Sequence, residues 1–266
     1  MKKHYNWNLV AGFILLGAIL LLMAIGIFYT PYDPNKMNVV QKYQAPNFSH
    51  LMGTDNFGRD IFSRIISGAK ATFFISISTV LLGTLIGVTL GAISGYFGGW
   101  MDEIIMRIND ALTAFPGILL ALALVTVLGQ GKYQTILALT VIFIPSYCRI
   151  TRGEFLQLKE LEFVKSAKVF GASSLRIIFL HILPNSYPAL LSAVTIGLSN
   201  AILSEAGLSF LGFGVQPPDP SWGRMLSESQ AYLFNAPWGA IGPGITIVIT
   251  VIAFNFIAEG LRKIYE

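Results

Sequence analysis

Charge is what this sequence has least of. Asp, Glu, Lys and Arg make up 12% of its 266 residues, about half the one-quarter that is usual in a soluble domain. Hydrophobic residues make up 54%, and mean hydropathy is +0.64. So little charge cannot clothe a water-facing surface, which argues against a soluble enzyme, a disordered chain and a secreted disulfide scaffold alike. The single cysteine, Cys148, excludes an intrachain disulfide and any Cys-cluster metal site. The three histidines, His4, His50 and His181, stand far apart in the sequence, so no His-rich metal site is expected. No Gly-x-x-x-x-Gly-Lys-[Ser/Thr] phosphate loop exists; Gly68-Ala69-Lys70 lacks both the upstream glycine spacing and a following hydroxyl residue. The net charge of +4 is small, and the basic residues sit between apolar runs, so nucleic acid is not an expected partner.

What is present is a series of long apolar runs. A bilayer core of roughly 30 Å needs about 20 apolar residues per helix, and six stretches qualify: 9–28, 72–97, 111–128, 133–147, 187–213 and 238–258. The fourth is short and carries Pro145. Each must be helical, because lipid offers backbone N–H and C=O groups no partner. The first run follows Lys2 and Lys3 but is too long for a signal core and precedes five more spans, so it reads as a retained helix. The expected fold is an all-α polytopic membrane protein with six transmembrane helices and both termini on one side. Eleven of the 18 basic residues fall on that side, six of them in 149–186, which makes it the cytoplasmic one by the positive-inside rule.

Three hydrophilic segments are too patterned to be simple linkers. In 29–71, prolines 31, 34 and 46 enforce extended chain. Then Thr54 or Asp55 is placed to cap a helix on which Ile61, Ile65 and Gly68 recur at helical spacing. An interfacial amphipathic helix with Arg59 and Arg64 at head groups is the simpler reading; a specific docking surface is the other. In 149–186, Phe163, Ala167 and Phe170 share a helical face, Gly171 ends that helix, and Ser173 or Ser174 starts another whose apolar face is Leu175, Ile178 and Ile182, with Pro184 ending it. The apolar face of this helix–Gly–helix loop needs a cover, either its own bundle or a groove on a cytoplasmic partner. In 204–238, the density of Pro and Gly predicts a rigid, turned outer loop, with Trp222 and Trp238 at the membrane interface.

A few polar groups lie within or at the ends of the spans. Glu205 and Asn200, in the fifth run, are the candidates for a translocation pathway or gate. For Glu205 a structural role is also open, with neighbouring N–H groups satisfying it at a helix break near Gly207. Asn200 and Asn255 read equally as interhelical hydrogen bonds. Arg107 and Asp110 are expected to be interface charges, and Cys148 a small packing residue. No Ser–His, paired-Asp or His-Glu-x-x-His constellation lies in the spans, which argues against an intramembrane enzyme.

Taken together, the three segments resemble those of the permease subunits of type I ABC importers, and within them the C-type subunit of the dipeptide/oligopeptide/nickel branch. The segment 149–186 is similar to the family's EAA loop, Glu-Ala-Ala, three residues, Gly, nine residues, then Ile-x-Leu-Pro. Lys165-Ser166-Ala167 fills the triplet, Gly171 the glycine, and His181-Ile182-Leu183-Pro184 the end. The spacing holds, but Lys165 stands where the family has Glu. Glu162 matches a position often acidic in the branch, and 53–68 and 208–226 resemble its outer signatures. The resemblance implies an N-terminal helix and extracytoplasmic segment at 1–71, and a five-span permease core at 72–266 containing the loop. It implies import of di- or oligopeptides across the cytoplasmic membrane by alternating access; nickel or a metal chelate is the alternative cargo. It also implies a second, homologous permease, two cytoplasmic ATPases that carry ATP and Mg, and an extracytoplasmic binding protein. This chain would itself bind no cofactor and catalyse no reaction. The ATPase-coupling residues it implies are Glu162, Phe163, Lys165, Ser166, Ala167, Phe170, Gly171 and Ala172.

Overall fold

The computed structural model describes residues 6–265; Lys2, Lys3 and His4 lie outside them. In chain order the helices are α1 (Trp7–Phe28), α2 (Ile61–Phe97), α3 (Gly99–Thr113), α4 (Gly117–Leu128), α5 (Lys132–Leu158), α6 (Glu162–Val169), α7 (Ser174–Arg176), α8 (Leu183–Asn185), α9 (Tyr187–Phe210), α10 (Trp222–Ser229) and α11 (Trp238–Tyr265). A π-helical stretch, Ile177–Ile182, joins α7 to α8. Thr54 and Asp60 form an isolated β-bridge.

The bundle is organised by α2 and α5. Gly83, Gly87, Gly91 and Gly95 recur every fourth residue and so line one side of α2. A Cβ at Gly87 would lie 2.7 Å from the Tyr147 Cβ and 2.9 Å from the Ile144 carbonyl; one at Gly95 would lie 2.6 Å from the Phe155 Cβ. The two backbones therefore meet almost directly, as small residues permit between helices in lipid. Going down the ladder, the facing residues of α5 also advance, from Phe143 to Phe155, so α2 and α5 run parallel. The chain between them must then cross back. It does so in two pieces, α3 and α4, bent by 91°. Asp102 faces Arg152, Asp110 faces Arg149, and Gly117 faces Ile142, so the pair runs along α5 in the opposite sense.

This corrects the expected third span. The stretch 111–128 is not one helix: α3 stops at Thr113 and α4 restarts behind Pro116, which disfavours helical backbone at Phe115. Five helices are long and apolar enough to span a membrane alone, and the bent pair brings the number to six when it is counted as one broken span. Other ends differ too. Helix α2 begins at Ile61 rather than 72. Helix α5 runs on to Leu158 with Pro145 inside it, α9 stops at Phe210, and α11 extends to Tyr265.

Helix α1 lies antiparallel to α11. Gly12 faces Ala253 and Ile257, Gly260 faces Leu9, and Asn6 Nδ2 donates to the Gly260 carbonyl at 2.6 Å. The two described ends of the chain thus meet at the end of the bundle where α2 and α5 finish.

At the opposite end the structure overturns three expectations. The cap of α2 is Asp60, whose Oδ2 accepts from the Ser63 N–H at 2.8 Å and the Ser63 hydroxyl at 2.7 Å, not Thr54 or Asp55. His50 Nδ1 lies 2.9 Å from Asp60 Oδ1. Arg59 and Arg64 are buried, not at head groups. Arg59 Nε lies 2.6 Å from Asp55 and its Nη2 2.6 Å from Glu228, while Arg64 Nη2 lies 3.1 Å from the same Glu228 oxygen. Their burial is tolerable because carboxylates from two segments distant in sequence face them. Nor is Trp222 at a lipid interface. It is 1% exposed, donates Nε1–H to the Ile65 carbonyl at 2.9 Å, and packs edge-on against Phe73. Trp238 is half-buried and donates to the Thr54 carbonyl at 3.1 Å.

Two predictions follow from this packing. Gly91→Leu, which forces a side chain into the α5 backbone, is expected to destabilise the protein by at least the ~1–3 kcal/mol of ordinary overpacking; Gly17→Ala, where nothing lies within 4 Å, is neutral or slightly stabilising. Thermal unfolding in detergent compares them. Glu228→Gln leaves two buried guanidinium groups short of a carboxylate. Because Glu228 keeps some solvent contact, its cost falls at the lower end of the ~3–5 kcal/mol for breaking a buried pair. Arg107→Gln, at an exposed pair with Glu103, changes stability by less than ~1 kcal/mol in the same assay.

Candidate functional site

Two groups of residues meet the description of a functional site: the loop around α6, and the buried carboxyl of Glu205.

The loop is mounted on a braced base. Arg152 makes a two-pronged pair with Asp102, at 2.6 Å from Nε and 2.6 Å from Nη2, and the Ser94 hydroxyl also donates to Asp102. Lys159 Nζ donates to the Gly95 carbonyl at 2.9 Å, closing the C-terminal end of α2. The ends of α2 and α5 and the start of α3 are thereby tied together directly beneath α6.

Helix α6 is only two turns long and takes its place from one side chain. Val164 is buried against Ala92, Phe155, Ile177, Ile178 and Ile182. The expected face of Phe163, Ala167 and Phe170 turns elsewhere: Phe163 is 41% and Phe170 89% exposed, with Ala167 half-buried. Its own bundle does not cover those two rings. The helix ends in a Schellman turn. Gly171 N–H donates to the Lys168 carbonyl at 3.1 Å and Ala172 N–H to the Ala167 carbonyl at 3.0 Å, with Gly171 at φ +78°. Nothing lies within 4 Å of a Cβ built there, so within this chain the glycine serves the backbone turn and not close approach. Lys165 lies 3.6 Å from Glu160 and 3.8 Å from Glu162; the lysine in the family's acidic position is answered by acids to either side. Ser166 is exposed, and Ala172 packs at the edge of the Val164 cluster.

Beyond the turn, Ser173 Oγ accepts from the Arg176 N–H at 3.4 Å, capping α7. Ile178 and Ile182 are buried as expected, but Leu175 is exposed and Ile177 takes its place inside. Pro184 does not end the helix. The π-helical stretch before it changes the bonding register, and helical chain continues through α8 to the start of α9.

Glu205 is fully buried. It sits on α9 where Gly223 of α10 presses against Ala206 and where Gly68 of α2 lies close to Ser221. Its Oε1 accepts from the Ser209 hydroxyl at 2.7 Å, and Ser209 Oγ accepts in turn from the Val215 N–H at 3.1 Å. The Trp222 N–H points to the Thr72 hydroxyl at 3.4 Å. No break occurs at Gly207, so the carboxyl is met by a hydroxyl, not by freed N–H groups. Its Oε2 has no hydrogen-bond partner among the described residues. Glu205 and Asn200 do not form one site. Asn200 is exposed on the opposite side of α9, in a row with Ile196 and Leu203. Asn255 is exposed as well, so neither asparagine is the expected buried bridge within this chain. That role belongs to Asn109, which the sequence reading passed over; its Nδ2 donates to the Ile105 carbonyl at 3.0 Å and contacts Cys148 Sγ at 3.2 Å. The Asp102–Arg152 brace was also missed. It carries no local signal, whereas the four-residue glycine spacing of α2 is a visible one.

Comparison with known proteins identifies the family. The family model described as "Binding-protein-dependent transport system inner membrane component" matches residues 87–266. A glutathione transport system permease protein of Pectobacterium atrosepticum is 43% identical over 248 residues, 92% of this chain and 82% of that protein. A dipeptide transport system permease protein of Alkalihalophilus pseudofirmus is 40% identical over 262 residues, 98% of this chain and 86% of that one. Among solved structures, an inward-facing MetNI methionine ABC transporter chain superposes with a TM-score of 0.63 at 18% identity, covering 76% of this chain and 96% of that one, a likeness of fold. On the family match and the two relatives, this chain belongs to the binding-protein-dependent transport system inner membrane components, the permease subunits of ABC importers.

Proposed function

We propose that this chain forms half of the membrane pathway of an ATP-driven importer of di- and oligopeptides, and that α6 is the lever through which ATP hydrolysis elsewhere moves it. The observation that carries this reading is the division of labour in α6. Val164 fixes the helix to the ends of α2 and α5, while Phe163 and Phe170 are left uncovered beside it. A two-turn helix can pass on force only if it seats as a rigid body, and an anchored side chain with exposed rings beside it is built for seating in a partner's groove. The apolar contact would be made by Phe163, Ala167 and Phe170. Glu162, Lys165 and Ser166 would give the polar rim, and Gly171 with Ala172 the rigid turn.

The remaining parts follow from the same reading. The α6 end, with both described chain ends, faces the cytoplasm, in keeping with the six basic residues of 149–186. Two ATPase subunits dock there and carry the ATP and Mg that this chain has no phosphate loop to hold; the chain itself is not an enzyme. A second, homologous permease completes the pathway as a heterodimer, and an extracytoplasmic binding protein delivers the cargo to the cap built by 29–60 and 211–237. The division into an N-terminal anchor at 1–71 and a permease core at 72–266 is one of role and not of folding, since α2 runs through it. The exposed row of Ile196, Asn200 and Leu203 faces the second permease or the pathway. Glu205, held inside this chain, is a structural post between α2, α9 and α10 and not a ligand contact. Peptide is preferred to nickel or a metal chelate because the relatives at 43% and 40% identity are named for glutathione, itself a tripeptide, and for dipeptides.

Two measurements test this. Gly171→Val places a branched residue at positive φ and breaks the turn. It is expected to leave assembly of the complex intact, retain ATP hydrolysis and cut transport in proteoliposomes at least tenfold; normal transport would refute the lever. In the same vesicles, labelled dipeptides and labelled nickel chelates compete for ATP-dependent uptake. Peptide accumulation supports the cargo stated here, and nickel accumulation alone overturns it while leaving the lever in place.

A further inference from the structure

Behind α6 two cavities adjoin. One, of about 530 Å³, is an apolar groove between the last turns of α2 and the segment following the Gly171 turn; Leu81, Leu85, Val88, Phe97, Ile178 and Phe179 are among its walls. The other, of about 420 Å³, is polar and lies between α6 and the end of α2, lined by Tyr96, Phe97, Lys159, Lys168 and Ser174 among others. Phe97 belongs to both, and the neighbours Ile177 and Ile178 line one each. The two spaces thus lie side by side, with Phe97 as their shared wall.

The charge in the polar cavity is unbalanced. Lys159 donates to the Gly95 carbonyl and forms no ion pair within 4 Å among the described residues, although Asp102 lies near enough to feel its charge. Lys168 forms no ion pair with any described residue, and the one carboxylate in the lining, Glu160, leans toward Lys165 at 3.6 Å. The apolar groove runs from Leu81 to Phe97, about 24 Å at the helical rise of about 1.5 Å per residue, which exceeds the roughly 15 Å of one leaflet's hydrocarbon. The Asp102–Arg152 brace meets α2 at Ser94, near the lower end of that stretch, at the level where a membrane surface would lie.

We propose that these cavities hold one anionic phospholipid, with an acyl chain along the α2 groove and the phosphate between Lys159 and Lys168. Basic pockets between helices on the cytoplasmic side suit such head groups. A free phosphate would leave the apolar groove empty, so an apolar groove beside a basic cavity favours a lipid over a soluble anion. Because Lys168 is on α6 and the groove touches Ile178, the seated lipid packs against the back of the lever and stiffens it. The inference rests on the proposed orientation, with the α6 end at the inner leaflet, but not on the identity of the cargo.

The test is lipid retention by the assembled complex, which reads the site independently of transport. The complex is purified from membranes, stripped with mild detergent, and its bound phosphatidylglycerol quantified by mass spectrometry. Wild type is expected to keep phosphatidylglycerol in preference to phosphatidylethanolamine. Lys168→Gln is expected to lower retention about fivefold, the effect of one basic residue at an anionic surface. Val88→Trp, far from α6, fills the groove and abolishes retention. Unfolding temperature is followed alongside, and a variant that melts early is replaced by Leu85→Trp or Lys168→Met. Equal retention in all variants overturns the proposal, as does failure of wild type to retain the lipid, which would mean that the second permease covers the groove. Displacement of the lipid by inorganic phosphate alone would reassign the polar cavity to a soluble anion and equally refute the lipid.

Discussion

The near-contact of two backbones sets the rest of this molecule. Four glycines on α2 let α5 approach until a carbon added at Gly87, Gly91 or Gly95 would overlap Tyr147, Cys148 or Phe155. In lipid there is no hydrophobic force to bring helices together, and close backbone packing supplies the attraction instead. Since the pair is parallel, the chain between must recross the bundle, and it does so as the bent α3–α4 pair. Since the pair ends together, its C-terminal ends make a common platform, closed by Lys159 on Gly95 and by Arg152 on Asp102. The loop with α6 is built on that platform. In the lever reading proposed above, force on α6 reaches the bundle through this close helix pair.

Charge is concentrated at the two ends in different ways. At the cap end, scarce charges are buried and shared, with Glu228 serving Arg59, Arg64 and Arg224 at once. Such a cluster adds little net stability over apolar packing, yet it fixes which segments meet, because losing one member strands the others. At the α6 end the ion pairs outside the Asp102–Arg152 brace are mostly exposed, as in Lys165 with its two acids or Arg149 with Asp110. Exposed pairs of this kind are weak and readily exchanged. The cap is thus rigidly specified, and the opposite surface is left adaptable.

Much of the fold was legible before any coordinates, and the failures have physical causes. Apolar runs located the spans because lipid leaves the backbone no alternative to helix. The start of α2 was misplaced because Arg59 and Arg64 look like surface residues. Their burial depends on Asp55 together with Glu228, some 160 residues away in the sequence. The break in the third span lay in plain sight at Pro116, but a sum over hydropathy cannot register a bend. In α6 the glycine turn was read correctly, while Val164 was not picked out as the anchor. With about 100° between successive residues, Phe163 and Val164 face different ways, and a two-turn sequence carries apolar residues on both faces. Glu205 and Asn200 were grouped because both are polar and near in sequence; five positions along a helix do not bring two side chains to one face.

Asn6, at the start of the described residues, is clasped to Gly260 in the last helix, so α1 begins and α11 closes at the end of the bundle that bears α6. A short flexible tether holds its passenger at an effective concentration of order mM, so joining a cytoplasmic subunit to this chain at either end would turn their association into an intramolecular event. For the importer proposed above, that geometry places a subunit fused at either end on the α6 side of the bundle.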